Sequence, residues 1–310
     1  MDCKNCTCKK SCDNIVAIID GDSIPYAYAW MFKDKDPSNK KDLEDARSAV
    51  QSGLYNTLRE TKANYYVGML AGGKCFRYDC DPDYKGNRGT KTDSYALWGE
   101  VIKQILVDDH KFYRLDQSCT LEVDDAVGIC NTYFKRKKWK PIIVAVDKDI
   151  LQLKANHYNP VRKSSISITS LGGITKTKKG KKNIITAYGD YLIASQMITG
   201  DSTDNIKGIP KSGPIKAYNT LVGCETPYSM FRRVVELYKK YYDTSWKEEI
   251  KKTYTLIKIL ETAKEGRKYG FKVPKPIKVQ KVFITSPVNF DFSVSVTEDF
   301  TNLSEIDLSI

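Results

Sequence analysis

The sequence predicts an α/β protein with a mainly parallel central sheet flanked by helices. Three observations carry this. The runs Ile15–Ile19, Tyr65–Leu70 and Ile142–Val146 are almost continuously apolar, as strands buried on both faces are. Helical patterns separate them, as crossovers between parallel strands require. With 310 residues, 41% of them hydrophobic and 11% aromatic, the chain can bury a sizeable core and is not a disordered chain.

The elements follow in order. After the first strand, Asp42–Lys62 places Leu43, Ala46, Val50, Leu54 and Leu58 on one helical face. After the second, Cys80–Thr92 carries Pro, Gly and charges and reads as a loop or lid. Tyr95–Val107 is a helix with Leu97, Val101, Ile105 and Leu106 as its apolar positions. A third helix begins near Ser118–Thr120 and runs through Ala126–Phe134 into the third strand. Beyond that strand, Val161–Thr169 alternates as a short strand, and the five lysines of Lys176–Lys182 form the tip of a basic hairpin or loop. Tyr188–Thr199 is helical and Gly200–Gly213 is a Gly-, Pro- and Asp-rich loop. Tyr228–Tyr242 and Trp246–Lys264 are amphipathic helices, and Val288–Ile310 holds five acids and no Lys or Arg.

Charge narrows the function. Fifty Lys and Arg against 38 Asp and Glu leave a net charge of +12, which favours a polyanionic partner. No stretch of about 18 apolar residues provides a membrane span. The N-terminus is rich in Cys and Lys and does not read as a secretory signal, so a reducing cytoplasm is expected. Cys3, Cys6, Cys8 and Cys12 follow C-x2-C-x-C-x3-C, compatible with either a Zn²⁺ knuckle or a reduced, mobile arm.

Against that positive charge, acids gather at element ends. The first strand runs into Asp20-Gly21-Asp22 and the third into Asp147-Lys148-Asp149. Ligands of open α/β sheets sit beyond the carboxyl ends of the strands, so both pairs point to one crevice. Glu122, Asp124 and Asp125 open a helix, and Asp201 and Asp204 lie in a loop. One such acid is usually a cap or turn residue. Nine in convergence would repel one another without divalent cations, and an oxygen-only donor set suits two Mg²⁺ or Mn²⁺ ions. Two ions about 3.5–4 Å apart suit phosphodiester hydrolysis. Phosphate-binding candidates are Arg77, Lys85, Arg88 and the lysines of Lys135–Lys140 and Lys176–Lys182.

These segments resemble the 5′ nucleases: flap endonucleases, phage 5′→3′ exonucleases and the 5′ nuclease domain of bacterial DNA polymerase I. The likeness is greatest to the phage enzymes. It rests on Ile19-Asp20-Gly21-Asp22, Phe76-Arg77 with Tyr84-Lys85-Gly86-Asn87-Arg88, Leu121-Glu122-Val123-Asp124-Asp125, Val146-Asp147-Lys148-Asp149-Ile150 and Gly200-Asp201 through Pro210, in family order. The resemblance implies a PIN-like core with an arch or clamp near 80–94 and a helix–three-turn–helix. By it, Asp20, Glu122 and Asp124 hold the first metal, Asp125 supports the pair, and Asp147, Asp149, Asp201 and Asp204 serve the second. Tyr84, Lys85 and Arg88 fall in the clamp, with Lys85 approaching the scissile phosphate and Arg77 grouped with them as catalytic. Gly208, Ile209, Lys211, Ser212, Gly213 and Lys216 fall in the duplex-gripping turn, where the family often holds K⁺. The implied partner is DNA with a 5′ end or 5′ flap, or the RNA of an RNA–DNA hybrid, bound by a monomer, and the implied setting is phage DNA replication or degradation.

The chain departs from the pattern in three places. Gly72 occupies the position of a second-strand carboxylate, for which Asp22 is the candidate substitute. Lys211-Ser212-Gly213 replaces Gly-x-Gly, and the cysteine arm and acidic tail have no counterpart. The expected organisation is an arm at 1–13, a nuclease core at 14–195, a helical region at 196–287 and a tail at 288–310. Two alternatives stand beside the nuclease reading: a DNA-binding protein with a degraded site, motivated by Gly72, and a PIN-like ribonuclease, against which Gly200–Ala217 speaks.

Overall fold

The computed structural model describes residues 14–89, 93–115, 117, 119–267, 278–281, 283–284, 290–291 and 295–297. The strands are β1 Ile15–Asp20, β2 Tyr65–Leu70, β3 Tyr113–Arg114, β4 Lys140–Val144, β5 Asn156–Asn159, β6 Ser164–Ser167, β7 Gly172–Lys179, β8 Lys182–Gly189, β9 Gly200–Asp201, β10 Ile206–Lys207, β11 Lys278–Lys281, β12 Phe283–Ile284, β13 Phe290–Asp291 and β14 Ser295–Thr297. The helices are α1 Ser23–Phe32, α2 Lys40–Thr61, α3 Arg77–Cys80, α4 Asp93–Asp108, α5 Val123–Arg136, α6 Asp190–Thr199, α7 Pro214–Leu221, α8 Pro227–Tyr242, α9 Trp246–Ile257 and α10 Ala263–Arg267.

The main sheet runs β14-β11-β2-β1-β4-β5-β6, with β3 also paired to β2. Its centre is parallel: β1 lies between β2 and β4, with Ile18 opposite both Val67 and Ile143. β3 is parallel to β2 and β5 to β4, whereas β6 pairs antiparallel with β5, β11 with β2 and β14 with β11. The strand period of two divides β1 between two cores. Val16 and Ile18 pack in the cluster that holds Val127 and Phe134 of α5, and Ala17 and Ile19 in the one that holds Leu58 of α2 and Trp98 of α4. On α2, Ala46, Val50, Leu54 and Leu58 recur every fourth residue and are all buried. Asn39 caps that helix by accepting from the backbone of Lys41 and Asp42.

Several sequence expectations shift. β4 lies two residues earlier than the apolar run suggests, so Asp147 and Asp149 stand on the turn beyond it. The buried face of α4 is Trp98, Ile102, Ile105 and Leu106, whereas Leu97 is exposed. The basic segment is a long hairpin, β7–β8, which takes in Tyr188 and delays α6 to Asp190. α9 stops at Ile257. The expected boundary at 195/196 falls inside α6, and one core cluster runs from Val16 to Leu260 across it. The segment read as an acidic tail supplies β14 to the main sheet. The cysteine arm lies outside the described residues.

Candidate active site

Asp20 ends β1 with its carboxylate buried, and its Oδ1 accepts from the backbone of Asp22 at 3.0 Å. The intervening Gly21 is required because a Cβ there would lie 2.4 Å from the carbonyl of Met69 in the neighbouring strand. The Asp22 carboxylate reaches the end of β2 and accepts from the backbone of Ala71 at 3.2 Å. It thus stands beside Gly72, the position that lacks an acid. Glu122 is the N-cap of α5, with Asp124 in its first turn. Asp147 follows β4 and turns back, its Oδ1 accepting from the backbone of Asp149 at 2.9 Å. Asp201 closes β9 and Asp204 follows on the β9–β10 loop.

Their electrostatics show the crowding. Burial, then the charges of Asp22 and Asp147, push Asp20 up to about 7. Burial, then Asp147 and Asp201, bring Asp149 to about 7. Asp124 is raised well above the ordinary carboxylate range by burial, then by Asp20, Asp147 and Glu122. Burial also raises Asp22. Asp201 is the exception: burial opposes its charge, but Lys148, the Thr203 N–H and Gln196 together hold it below the ordinary range. A cluster of oxygen donors that resists its own ionisation fits a divalent cation in donor type and charge. Among the described residues, however, no group of three or more Asp, Glu, His or Cys side chains is gathered to hold a metal as it stands. Ammonium groups lie among the carboxylates instead. Lys85 contacts Glu122 and lies 3.7 Å from Asp204, and Lys148 lies 3.0 Å from Asp201.

The segment after α3 is a run of turns docked on the β9–β10 loop. Lys85 N–H donates to the Asp204 carbonyl at 2.8 Å, Asn87 Nδ2 to the Ser202 carbonyl at 2.6 Å, and Asn205 Nδ2 to the Asp83 carbonyl at 2.8 Å. Tyr84 Oη lies 3.1 Å from both Glu122 and Asp204, and Arg88 donates to Asp204 at 2.6 Å. Lys85 is held at φ +56°, a left-handed conformation that aims its chain at the acids. An open cleft of about 760 Å³ is lined in part by Asp20, Asp22, Tyr26, Lys85, Glu122 and Asp147.

Arg77 and part of the turn before α7 are buried. Arg77 is 2% exposed; it lines the inner pocket together with Glu122, Asp124, Asp147 and Asp149 and lies outside the larger open cleft. Its guanidinium binds Asp125 through both terminal nitrogens, at 2.7 and 2.9 Å, and donates to the carbonyls of Leu256 and Lys258. Asp125 also accepts from the backbone of Glu122 and Leu260, and Arg77 lies 3.3 Å from the Glu122 carboxylate, so the pair braces Glu122. In the turn before α7, Ile209 and Ser212 are buried. Ser212 Oγ donates to the Pro210 carbonyl, which leaves the backbone of the turn, the part expected to grip phosphates, as what these two residues offer. Lys211 and Gly213 are exposed there, and Lys216 projects from α7 onto Tyr241, 4.3 Å from its ring centroid. Gly208 is packed against the backbone of Thr199 and Gly200, where a Cβ would lie 2.2 Å away. Residue patterns also missed Gln152 and Gln196, buried amides beside Asp149 and Asp201. Their only signal is polarity inside otherwise apolar segments.

Residues 15–188 match the family described as 5′-3′ exonuclease, N-terminal resolvase-like domain. The chain belongs to that family. It is 26% identical over 211 residues to DNA polymerase I of Streptococcus pneumoniae R6, a match covering 63% of this chain and 22% of the polymerase. The chain therefore spans about a fifth of the first polymerase relatives it matches. A 5′-3′ exonuclease of Aquifex aeolicus VF5 is 26% identical over 217 residues, covering 66% of this chain and 68% of that protein. Among solved structures, bacteriophage T5 5′-exonuclease with bound zinc aligns with a TM-score of 0.49 at 15% identity, over 79% of this chain and 99% of that one. The T5 flap endonuclease in a pseudo-enzyme–product complex with DNA and metal ions aligns at 0.46 and 15%, covering 78% and 99%.

Among the described residues, no helix is long and apolar enough to cross a membrane.

Proposed function

We propose that this family member is a metal-dependent 5′ nuclease that hydrolyses DNA phosphodiesters from or near a 5′ end. The carrying observation is the placement of Asp20, Asp22, Glu122, Asp124, Asp147, Asp149, Asp201 and Asp204 around two adjoining pockets at the carboxyl end of the parallel sheet, which share Glu122, Asp124, Asp147, Lys85 and Arg88. Asp20, Glu122 and Asp124, with Asp22 in place of the acid missing at Gly72, would hold one cation. Asp147, Asp149, Asp201 and Asp204 would serve the other. Mg²⁺ or Mn²⁺ there supplies an activated water and offsets charge on the leaving oxygen.

The protein's own groups do the rest. Lys85, poised between Glu122 and Asp204, presents an ammonium to a phosphate entering the cleft. Burial opposes its charge, but Glu122 and Asp204 raise its pKa, so it stays protonated. Tyr84 and Arg88 hold Asp204 against the clamp segment. Lys211, Lys216 and the exposed N-terminus of α7 at Gly213 offer donors to duplex phosphates. K⁺ at this turn is part of the same proposal. The β7–β8 hairpin adds lysines next to it, with Lys176 5.6 Å from the ring centroid of Tyr218 on α7. The relatives named as DNA polymerase I and 5′-3′ exonuclease support DNA as the substrate; replication or degradation of DNA, in a phage or its host, is the setting proposed with it.

Incubation with 5′-labelled duplex and 5′-flap DNA in Mg²⁺ tests the reading. Mononucleotides released from the 5′ end identify an exonuclease, and an intact released flap identifies an endonuclease. Binding without cleavage in either Mg²⁺ or Mn²⁺ overturns the assignment in favour of a DNA-binding protein. Cleavage confined to RNA overturns it in favour of a ribonuclease.

A further inference from the structure

Asp149 and Asp201 are joined from inside the protein by a chain of neutral amides. Gln196 on α6 is 6% exposed, amid Ile193, Met197 and Ile198. Its Nε2 donates to Asp149 Oδ1 at 2.7 Å and to Asp201 Oδ2 at 3.2 Å. Its Oε1 accepts from Gln152 Nε2 at 3.1 Å. Gln152, 2% exposed, donates its other proton to the Ile257 carbonyl at 3.0 Å and accepts from the Ile259 N–H at 3.3 Å. Each amide thus has both protons and its oxygen engaged. An unpaired buried amide is costly, so both side chains are fixed in orientation as well as place.

The far end of this chain is the backbone segment 256–260, which links α9 to the residues before α10. The same segment accepts from Arg77 at Leu256 and Lys258 and donates from Leu260 to Asp125. It lies close enough to α5 that a Cβ on Gly128 would meet the Leu260 carbonyl at 2.3 Å. From the outer side, the two acids meet Lys148, whose side chain is 63% exposed. The inner bridge therefore differs in kind from the outer one. A neutral amide orients two carboxylates without cancelling their charge, whereas an ammonium cancels it.

We propose that Gln196, oriented by Gln152 from the 257–259 backbone, is a positioning residue that holds Asp149 and Asp201 at the spacing a divalent cation needs. This deepens the two-cation reading above and rests on it. Fixing an acid through a hydrogen-bonded neighbour typically sets metal affinity by about 10–100-fold. The effect falls on cation binding, because Gln196 lines only the inner pocket among the acids, where its amide is engaged by Asp149 and Asp201, and not the open cleft of Asp20, Asp22 and Lys85.

The test uses the full chain and Gln196→Met, which keeps an unbranched side chain of similar volume without donors. Mn²⁺ binding is measured by calorimetry without DNA, alongside Mg²⁺-dependent cleavage and thermal unfolding. The expected result is a Mn²⁺ dissociation constant raised about 10–100-fold and a matching rise in the Mg²⁺ needed for half-maximal rate. The rate at saturating Mg²⁺ should stay within a few-fold of wild type. Gln152→Met, which leaves Gln196 present but unbraced, should show a smaller rise. An unchanged Mn²⁺ isotherm in folded Gln196→Met overturns the proposal, as does a lost maximal rate with unchanged metal dependence. If Gln196→Met fails to fold, Gln152→Met decides by the same criterion. A wild-type chain that neither binds Mn²⁺ nor cleaves refutes the nuclease reading itself, whereas a competent wild type with an indifferent variant refutes only the role of Gln196.

Discussion

Replacing Lys85 with Ala removes the ammonium that lies between Glu122 and Asp204 on the cleft wall. Its side chain is only 16% exposed, so solvent screens it weakly. At the 3.7 Å separation from Asp204, a unit charge pair in an effective dielectric of about 20 interacts by roughly 4 kcal/mol. Charge that develops on a phosphate at similar range would gain a comparable amount, equivalent to about 10³-fold in rate as an upper bound. Glu122 and Asp204 share the same ammonium and reduce its effect, so the expected loss is about 10²-fold or more in single-turnover cleavage. DNA affinity should change far less, because Lys211, Lys216 and the hairpin lysines remain. The assay is single-turnover cleavage of a 5′-flap with enzyme in excess, paired with DNA binding in Ca²⁺. Ala at φ +56° keeps the same backbone strain, so thermal unfolding serves as the folding control. A parallel fall in rate and affinity would make Lys85 a simple phosphate anchor, and no change in either would refute its placement at the reacting phosphate.

Four further outcomes follow from the same geometry. Lys211→Ala and Lys216→Ala should each lower the log–log salt slope of DNA binding by about one if they neutralise a phosphate; unchanged slopes would place the duplex elsewhere. Arg77→Met should destabilise the fold by about 3–5 kcal/mol, because it leaves the buried Asp125 carboxylate without its counter-charge; denaturant titration measures this, and a stable but inactive variant would mark Arg77 as catalytic. Asp20 and Asp149 are raised to about 7, so between the ordinary carboxylate range and about pH 7 the folded chain binds more protons than the unfolded one. Without divalent cations, these acids should make thermal stability fall as pH rises through that window, and saturating Mg²⁺ should flatten the fall; a rise in stability over the same window would contradict the crowding. For the same reason Mn²⁺ affinity should weaken as pH drops below about 7, which calorimetry in two buffers detects as proton release; pH-independent binding would show that the acids are already ionised.

The parts of the fold that were legible in sequence are those where burial is uniform. β2 and the start of β1 match their apolar runs because both faces are covered, and α2 shows its buried face at every fourth residue. α1 was missed because Ser23–Phe32 is apolar nearly throughout, with Tyr26, Trp30 and Met31 exposed, so no period marks it. β5 reads Asn156-His157-Tyr158-Asn159, whose polarity hides a strand between β4 and β6. β4 was placed late because its first residues, Lys140 and Pro141, lack strand character, while Ala145 and Val146 extend the apolar run beyond it. In the site, the acids were legible because each falls at an element end where a lone structural role is a poor account of so many. Their partners were not. The Arg77–Asp125 brace and the Gln152–Gln196 chain depend on the 256–260 backbone, more than a hundred residues from Gln152 and Asp125, and no local pattern announces a hydrogen bond to it.

If this chain is the proposed nuclease and not only a DNA binder, its cleavage depends on the carboxylates beyond β4. Asp149→Asn keeps the shape of the side chain and removes the charge a cation requires. The decisive measurement compares wild type and Asp149→Asn on one 5′-labelled flap substrate, with cleavage followed in Mg²⁺ and binding in Ca²⁺. The predicted result is Mg²⁺-dependent release of the 5′ label by wild type, loss of that release in Asp149→Asn, and DNA affinities within a few-fold of each other. Equal turnover by the two proteins, or no turnover by wild type, would contradict it.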